Sequence, residues 1–302
     1  KQVLESKGHV FETDSDTEIL AKGLSIYGID FIKRLDGMYA IVWYDKSEQT
    51  ITLARDNAGV KPLYYHESDN NLIFSSSIKS LLSLGISTRL DLFSFSMYEN
   101  LGYVPGPQTL IESIKKIRPG EIIQFSVVDG TRIKTECSQI KISNSQDDFV
   151  PSEFREAMSD SVKKCLMGRR PIGLFLSGGL DSAMILHELA RYDNKPRTFT
   201  TRFECHQKHI STKRGKISSE DRYNGDANAA LLLSKEYGTE HTDFLVTLDN
   251  FLDAIEPCVE AMEEPRFNKN TPAYYLLNQE LSRQGIVAVS YTHLRAHETV
   301  LD

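Results

Sequence analysis

The stretch Ile172–Ser182 reads IGLFLSGGLDS and decides how the second half of the chain folds. Its first five residues include four large apolar side chains and predict a buried strand, and SAMILHELAR, which begins at Ser182, predicts a helix. Ser177, Gly178 and Gly179 form the turn between them. A buried strand, a glycine turn and a helix start together predict an anion site, because the first N–H groups of a helix have no partner inside it.

The residue types of this turn suit phosphate. Two glycines let the backbone approach a ligand closely, and the hydroxyls of Ser177 and Ser182 can donate further hydrogen bonds. Asp181 would repel phosphate unless a cation lay between them, and Mg²⁺ binds one or two carboxylates together with phosphate oxygens. The Lys of GxxxxGK[ST] is absent, so the usual loop for terminal-phosphate transfer is excluded. A plain strand-to-helix turn is the alternative interpretation.

SGGLDS resembles the pyrophosphate-binding loop of the ATP pyrophosphatases, and its surroundings are similar to the synthetase domain of glutamine-dependent asparagine synthetases. The resemblance implies an enzyme that uses ATP and Mg²⁺ to adenylate a side-chain carboxylate. The resemblance also implies that Asp181 binds the Mg²⁺ ion. The remaining residues implied to hold the departing pyrophosphate are Ser177, Gly178, Gly179 and Ser182.

The first 85 residues are similar to the latter half of the class II glutamine amidotransferase domain in SDTEIL, LDGMYAIVWYD, ARDNAGVKPLYY and FSSSIKSLL. The resemblance implies an N-terminal-nucleophile fold, in which the first residue of the mature chain is a Cys that attacks the glutamine amide. Asp16 matches the aspartate of the family's SDxE, which is implied to hold the glutamine α-amino group; capping of a helix is the alternative. No cysteine precedes Cys137, so the nucleophile is missing.

Two positions depart from the amidotransferase pattern. Arg55 and Asp56 match the family's ARD, but Asn57 stands where Arg is usual, and Ser77 replaces the Glu of SEIK. These departures weaken the case for normal glutaminase function and leave the expected fold unchanged.

The predicted fold is an α+β layered sandwich of the N-terminal-nucleophile type, followed by an α/β parallel-sheet domain that binds an adenine nucleotide; both are expected to be partial. The α/β prediction follows from strands that alternate with helices. The predicted segments are 1–85 (amidotransferase domain), 86–146 (inter-domain connection), 147–290 (synthetase domain) and 291–302 (non-native tail). After Ser290 the family would continue into a second, acidic glycine loop, and the chain instead reads YTHLRAHETVLD.

Composition narrows the class of protein. With 302 residues, 40% of them hydrophobic, the chain can bury a large core and form two domains. A net charge of −7 argues against nucleic acid as the main partner. Four scattered cysteines without a CxxC pair predict reduced thiols in a cytoplasmic protein. No apolar run has the length of a membrane span. The start at Lys1 predicts that the true amino terminus is absent, and the loss of the family pattern after Ser290 predicts truncation at the other end as well.

Two further segments beyond the glycine turn are noteworthy. Thr200–Phe203 ends the next predicted strand and is a candidate for contacts to adenosine. Glu204–Tyr223 is polar, basic and longer than the corresponding family loop, and we expect a solvated insertion there. Cys205, His206 and His209 make a weak case for a metal site, since no fourth ligand is near in sequence.

The sequence thus predicts an ATP-dependent amide ligase that takes nitrogen from glutamine and resembles asparagine synthetase. Ammonia would attack an aspartate-like carboxylate after its adenylation. Because the nucleophilic Cys and the second acidic loop are absent, we expect this fragment to be inactive in both half-reactions. The alternatives are a relative with another carboxylate acceptor and a non-catalytic nucleotide-binding module. No nucleic acid or membrane partner is expected, and a homodimer is a further option.

Overall fold

The computed structural model divides into two compact units, Lys1–Ser143 and Asn144–Asp302. The residues described are 1–13, 15–68, 71–137, 149–166, 171–193, 195–205, 209–212, 215–266 and 268–289. Only the backbone is described for residue 2 and for residues 209–212, 215–221 and 287–289. The predicted boundary near residue 147 and the predicted tail 291–302 lie outside the described residues. Within them, no helix combines the length and apolar composition of a membrane span.

The first unit is built on two antiparallel sheets. Its helices are α1 (Gln2–Glu5), α2 (Asp16–Tyr27), a 3-10 helix (Gly28–Arg34), α3 (Ile78–Leu82) and α4 (Leu92–Leu101). Its strands are β1 (Ala40–Asp45), β2 (Thr50–Arg55), β3 (Tyr64–Ser68), β4 (Asn71–Ser75), β5 (Lys115–Lys116), β6 (Glu121–Ser126) and β7 (Arg132–Cys137). The sheet orders are β1-β2-β6-β7 and β4-β3-β5.

The two central strands of the larger sheet, β2 and β6, are buried on both faces. Successive residues of a strand point to opposite faces, so Leu53 and Ala54 of β2 enter different clusters. Ala54 packs in a cluster with Leu24 of α2 and Ile32 of the 3-10 helix. Leu53 packs in a cluster with Tyr65 of β3. One helical layer and the second sheet therefore cover the two faces of this sheet.

The segment predicted as an inter-domain connection takes part in these sheets. Strands β6 and β7 form an antiparallel hairpin within this segment, and β6 pairs with β2. β5 pairs with β3. Ile114, Ile117 and Ile123 are almost fully buried. Over 86–137, the chain thus packs with residues 1–85 in one unit, because its isoleucines complete that unit's core.

The second unit contains the predicted parallel sheet. Its strands are β8 (Ile172–Phe175), β9 (Arg197–Phe203), β10 (His209–Thr212), β11 (Gly215–Ser218), β12 (Glu240–Val246) and β13 (Val287–Val289). Its helices are α5 (Pro151–Cys165), α6 (Leu180–Leu189), α7 (Ser219–Glu236), α8 (Leu248–Asp253), α9 (Ile255–Ala261) and α10 (Thr271–Arg283). The sheet has the order β12-β9-β8-β13, and every neighbouring pair is parallel.

Helices cover both faces of the parallel sheet. Leu174 of β8 packs against Leu186 of α6 and Ala230 of α7 on one face. Phe175 packs against Leu277 of α10 on the other. The strand order runs from β8 through β9 to β12 in one direction, whereas β13 lies on the opposite side of β8. The carboxyl end of β8 therefore lies at a topological switch point, where open α/β sheets bind ligands.

The segment expected to be a solvated insertion contains regular secondary structure. Strands β10 and β11 form a separate antiparallel hairpin within the segment expected to be a solvated insertion. Ile210 pairs with Ile217 in this hairpin. A polar, basic segment can form such a ladder because backbone groups supply its hydrogen bonds.

Candidate functional site

The glycine loop, residues 177–182, lies at the carboxyl end of β8. The Leu176 N–H donates to the Phe199 carbonyl of β9 at 2.8 Å, so the sheet fixes the chain up to the residue before the loop. Leu176 is itself almost fully buried. The loop thus starts from a rigid strand at the switch point and continues directly into α6.

The two loop serines have different roles. Ser182 is 1% exposed, and its hydroxyl donates to the Gly179 carbonyl at 3.0 Å and accepts from the Ser177 N–H at 3.3 Å. Its Oγ also lies 3.1 Å from the Ser177 Oγ, which accepts from the Gly179 N–H at 3.3 Å. Because its hydrogen is used inside the loop, Ser182 holds the turn in shape, and only the Ser177 hydroxyl can turn its hydrogen toward a ligand.

Gly178 is required by packing against α7. Its φ is +72°, in the left-handed region that favours glycine. A Cβ there would lie 2.5 Å from the Ala229 Cβ and 2.9 Å from the Asp226 carbonyl oxygen. The absence of a side chain at Gly178 therefore allows the loop to pack closely against α7, where a close approach of a ligand was expected. This packing holds the loop against the helix.

Gly179 leaves the N-terminus of α6 open. It is the N-cap residue, with φ −76° and ψ 163°, and no side chain caps the helix. Any residue can adopt these angles, and Ser, Thr, Asp or Asn usually occupies an N-cap because its side chain binds the first N–H groups. A Cβ at Gly179 would meet only the Ser177 Oγ, at 3.3 Å. The exposed N–H groups and the positive end of the helix dipole thus fit an anion such as phosphate.

Asp181 is exposed in the first turn of α6. A carboxylate there is favoured by the helix dipole, so its position alone does not require a cation. In the described part of the chain, no three His, Cys, Asp or Glu side chains cluster in a way that could hold a metal. A Mg²⁺ ion at Asp181 would therefore take most of its ligands from phosphate and water, as this ion commonly does.

The end of β9 is already occupied by protein contacts. The Asn224 side chain of α7 accepts from the Phe203 N–H and donates to the Phe203 carbonyl, both at 2.8 Å. Arg202 pairs with Asp243 at 3.0 Å. Thr200 is buried. Thr200–Phe203 was predicted to contact adenosine. Within this segment, the backbone N–H and carbonyl of Phe203 are already hydrogen-bonded to Asn224 of α7.

The role of α7 was not predicted from the sequence. Asn224, Asp226 and Ala229 all act on neighbouring segments, yet none belongs to a recognisable motif. A run of small residues in DANAA, from Asp226 to Ala230, is the one available signal, because small side chains allow a helix to pack closely.

Among the residues that the structure describes, no further ligand supports the metal site considered at Cys205, His206 and His209. Cys205 is half-buried, and its Sγ lies 3.6 Å from the Asn224 Nδ2. His206 is outside the described residues, and His209 is described only by its backbone in β10.

In the first unit, Asp16 is the first residue of α2, is exposed and is not the cap. The Ser15 hydroxyl caps the helix by accepting from the Thr17 N–H at 3.2 Å. Glu18 accepts from the N–H groups of Glu12 and Thr13, at 2.9 and 2.7 Å. The Lys22 ammonium, the Thr13 hydroxyl and the Glu12 N–H lower the pKa of Glu18 to about 2. Asp16 thus takes no part in the hydrogen bonds described here that organise this turn.

Arg55 and Asp56, the last two residues of the ARD sequence, hold the loop that follows β2. The Arg55 guanidinium donates to the carbonyls of Lys61 and Ile117, each at 2.8 Å. The buried Asp56 carboxylate accepts from the N–H groups of Val60 and Lys61, at 2.9 and 3.1 Å. These bonds give the two residues a structural role.

Ser77, which stands where the family has Glu, caps α3 by accepting from the Ser80 N–H at 3.4 Å. This substitution is therefore compatible with the local fold, because a serine oxygen satisfies the helix terminus.

The chain matches two family models, the glutamine amidotransferase domain over residues 1–135 and asparagine synthase over residues 153–290. It is 28% identical over 293 residues to asparagine synthetase [glutamine-hydrolyzing] 1 of Bacillus subtilis (strain 168), covering 96% of this chain and 44% of that protein. Asparagine synthetase [glutamine-hydrolyzing] 3 of the same organism is 28% identical over 299 residues, covering 96% and 47%. The chain thus spans less than half the length of these relatives.

A solved structure of glutamine phosphoribosylpyrophosphate amidotransferase from B. subtilis, complexed with ADP and GMP, is also similar in part. It has a TM-score of 0.34 and 12% identity, with 98% of this chain and 69% of that chain covered.

Proposed function

Because the chain belongs to the family of glutamine-hydrolysing asparagine synthetases, we propose that it is part of an ATP-dependent amide ligase that takes its nitrogen from glutamine. The observation that carries this proposal is the uncapped N-terminus of α6 at the switch point of a parallel sheet. This placement offers unpaired N–H groups to an anion, where a structural helix end would carry a cap.

The reaction follows from the chemistry of the two substrates. A carboxylate oxygen of an aspartate-like acceptor attacks the α-phosphorus of ATP, and the bond from that phosphorus to the bridging oxygen breaks. Pyrophosphate leaves with the bonding electrons. Ammonia then attacks the acyl carbon, AMP departs, and an amide remains. The part of this chain is to bind the leaving group, since negative charge accumulates there in the first step.

Each loop residue has a stated part in this proposal. The N–H groups at the start of α6 and the Ser177 hydroxyl bind pyrophosphate oxygens. Gly179 leaves room for them, because a side chain there would fill the cap position. Gly178 and Ser182 keep the loop rigid through α7 and through the loop's own hydrogen bonds. A preorganised loop binds the developing charge without further rearrangement.

Mg²⁺ fits Asp181 in this scheme. When bound, the ion would neutralise charge on the phosphate oxygens. Asp181 is exposed beside the N–H groups of α6, so its carboxylate and the phosphate would face the same solvent. We assign Asp181 as the protein ligand of this ion.

For the first unit we propose a partial N-terminal-nucleophile amidotransferase fold in which Asp16 binds the glutamine α-amino group. Two observations support this role. Asp16 makes no hydrogen bond or ion pair with the residues that the structure describes, while Ser15 caps α2. A carboxylate that no structural contact uses is available for an ammonium group.

The direct test is binding of ATP to the protein with and without Mg²⁺, measured by isothermal titration calorimetry. We expect Mg²⁺-dependent binding that Asp181→Ala weakens at least tenfold, because removal of one charged metal ligand costs about 1.4 kcal/mol or more. The matched control is Asp160→Ala, which removes an exposed aspartate from α5. Affinity that is independent of Mg²⁺, or unchanged in Asp181→Ala, would contradict the proposal.

A further inference from the structure

The helices α8 and α9 carry a row of exposed apolar side chains. Ala254, which joins the two helices, has right-handed helical backbone angles, φ −82° and ψ −14°. The Cys258 N–H donates to the Ala254 carbonyl at 2.9 Å, so the chain keeps a helical path across the junction. Four large apolar residues along this path are 41–62% exposed and form what we call the apolar stripe: Leu248, Leu252, Ile255 and Val259.

The spacing of the apolar stripe aligns its side chains on one side of the helices. At 3.6 residues per turn, steps of four, three and four residues keep them within about 60° of one another around the helix. The seam of a two-helix coiled coil has this same spacing. The body of the second unit lies on another side, where Ala254 and Cys258 are buried. Phe251 also faces the body, with its ring centroid 6.4 Å from that of Phe203. The apolar stripe is therefore surface that the core of this unit does not use.

A row of acids runs beside the apolar stripe. Each of the four apolar residues is followed directly by an exposed acid, and these acids form the acidic row: Asp249, Asp253, Glu256 and Glu260. One residue is a step of about 100° around a helix, so the acidic row lies next to the stripe. From Leu248 to Ala261 the chain contains no Lys, Arg or His. A partner that fits this surface is therefore both apolar and positively charged.

Charge distinguishes among the occupants that an apolar stripe could take. A second copy of this chain would bring two acidic rows into one interface, which like-charge repulsion opposes. An anionic lipid surface is repelled in the same way. A helix with Lys or Arg beside its own apolar stripe meets neither objection, because its cations pair with the acids while its apolar side chains cover the stripe.

We propose that α8 and α9 form a docking surface for a basic amphipathic helix of a partner protein. Burial of the apolar stripe supplies the affinity, and the acidic row sets the orientation and the choice of partner. Docking here does not require a nucleotide at the glycine loop, so this role goes beyond the proposed function.

A designed peptide supplies the chemistry of the partner. It contains three heptads with Leu at the a and d positions and Lys at e and g, and its matched control has Glu in place of Lys. Fluorescence anisotropy measures the binding of each labelled peptide to the whole chain. We expect the Lys peptide to bind at least tenfold more tightly than the Glu peptide. This difference should shrink as NaCl is added, because salt screens the acidic row.

Leu252→Ser tests the apolar stripe, and Leu232→Ser is its control. Both leucines are exposed on helices of the second unit, and Leu232 lies in α7, outside the stripe. We expect Leu252→Ser to weaken binding of the Lys peptide about tenfold, because an apolar contact at the centre of the stripe is lost. Leu232→Ser should bind the peptide as wild type does.

Asp253→Asn/Glu260→Gln tests the acidic row, and Glu153→Gln/Glu156→Gln is its control on α5. All four acids are exposed, so the fold should survive both pairs of substitutions. We expect the first pair to weaken binding of the Lys peptide several-fold with a flatter salt dependence. The control pair should match wild type, since screened charges act only locally.

Several outcomes would overturn the proposal. Absence of binding by the Lys peptide, equal binding of the two peptides, or no loss in Leu252→Ser would each show that this surface is not the site. Dimerisation in sedimentation velocity that Leu252→Ser abolishes would assign the surface to a second copy. Where the chain is part of a longer protein, the titration is repeated on that protein, and absence of binding there would show that its own residues cover the stripe.

Discussion

The N-termini of α2 and α6 solve the same physical problem in opposite ways. Each helix begins with N–H groups that have no partner inside the helix. At α2 the Ser15 hydroxyl supplies one, and Glu18 binds the preceding turn. At α6 the cap position is Gly179, which supplies none, although its backbone angles would accept serine or aspartate. The difference is the basis of our proposal that the end of α6 is kept for a ligand, whereas the end of α2 carries a cap that should stabilise the fold.

The largest effect is expected at Gly178, which supports the open terminus. Gly178→Ala places a Cβ 2.5 Å from the Ala229 Cβ at a φ of +72°. Strain and overpacking together should lower the free energy of unfolding by about 3 kcal/mol or more. Urea denaturation measures it. Gly179→Ala, with ordinary backbone angles, is the matched variant and should change stability far less; equal losses in both would refute the packing role of Gly178.

A smaller loss is expected at the capped terminus. Ser15→Ala removes the acceptor for the Thr17 N–H, and it should destabilise the protein by about 1 kcal/mol. Denaturant titration of this variant beside Ser15→Asp gives the comparison, because aspartate retains a cap. Full stability of the alanine variant would mean that Ser15 does not stabilise α2, and the contrast with α6 would disappear.

The smallest effect is a pH dependence at Glu18. Its folded pKa is about 2, against an ordinary value of 4.5, because Lys22, Thr13 and backbone N–H groups favour the charged form. Between pH 2 and pH 4.5, Glu18 therefore takes up a proton when the protein unfolds. The stabilisation is complete above pH 4.5 and is lost as the pH falls toward 2. Glu18 is half-buried at the protein surface, so solvent still screens the contribution and keeps it modest. Glu18→Gln should flatten the stability profile in that window, and an unchanged profile would count against the assignment.

Local patterns were sufficient for much of the fold. The apolar period of residues 16–27, with Ser15 or Asp14 as a possible cap, is typical of a helix, and α2 has these bounds, Asp16–Tyr27. The strands of the parallel sheet were predicted because buried strands give short apolar runs between helices. The turn residues 177–182 were predicted as a strand-to-helix loop for the same reason, and the structure places them at the carboxyl end of β8.

What the sequence missed depends on long-range contacts. Nothing near Gly178 in sequence indicates that Ala229, some fifty positions away, will occupy the space beside it. The burial of Ser182 similarly depends on the packing of α6 against its neighbours. Strand β6 joins β2 across about seventy residues, so a segment that looks like a connection belongs to a sheet. The hairpin β10–β11 lacks an apolar pattern and is specified mainly by backbone pairing.

The central claim is that α6 is left uncapped so that its N-terminus can bind phosphate, and Gly179→Asp tests it most directly. An aspartate cap should keep the free energy of unfolding or raise it by up to about 1 kcal/mol, because its carboxylate binds the N–H groups that a phosphate would use. The same variant should bind Mg²⁺–ATP at least tenfold more weakly in calorimetry, with Gly179→Ser as the uncharged cap for comparison. A variant that is as stable as wild type and still binds Mg²⁺–ATP with unchanged affinity would contradict the account.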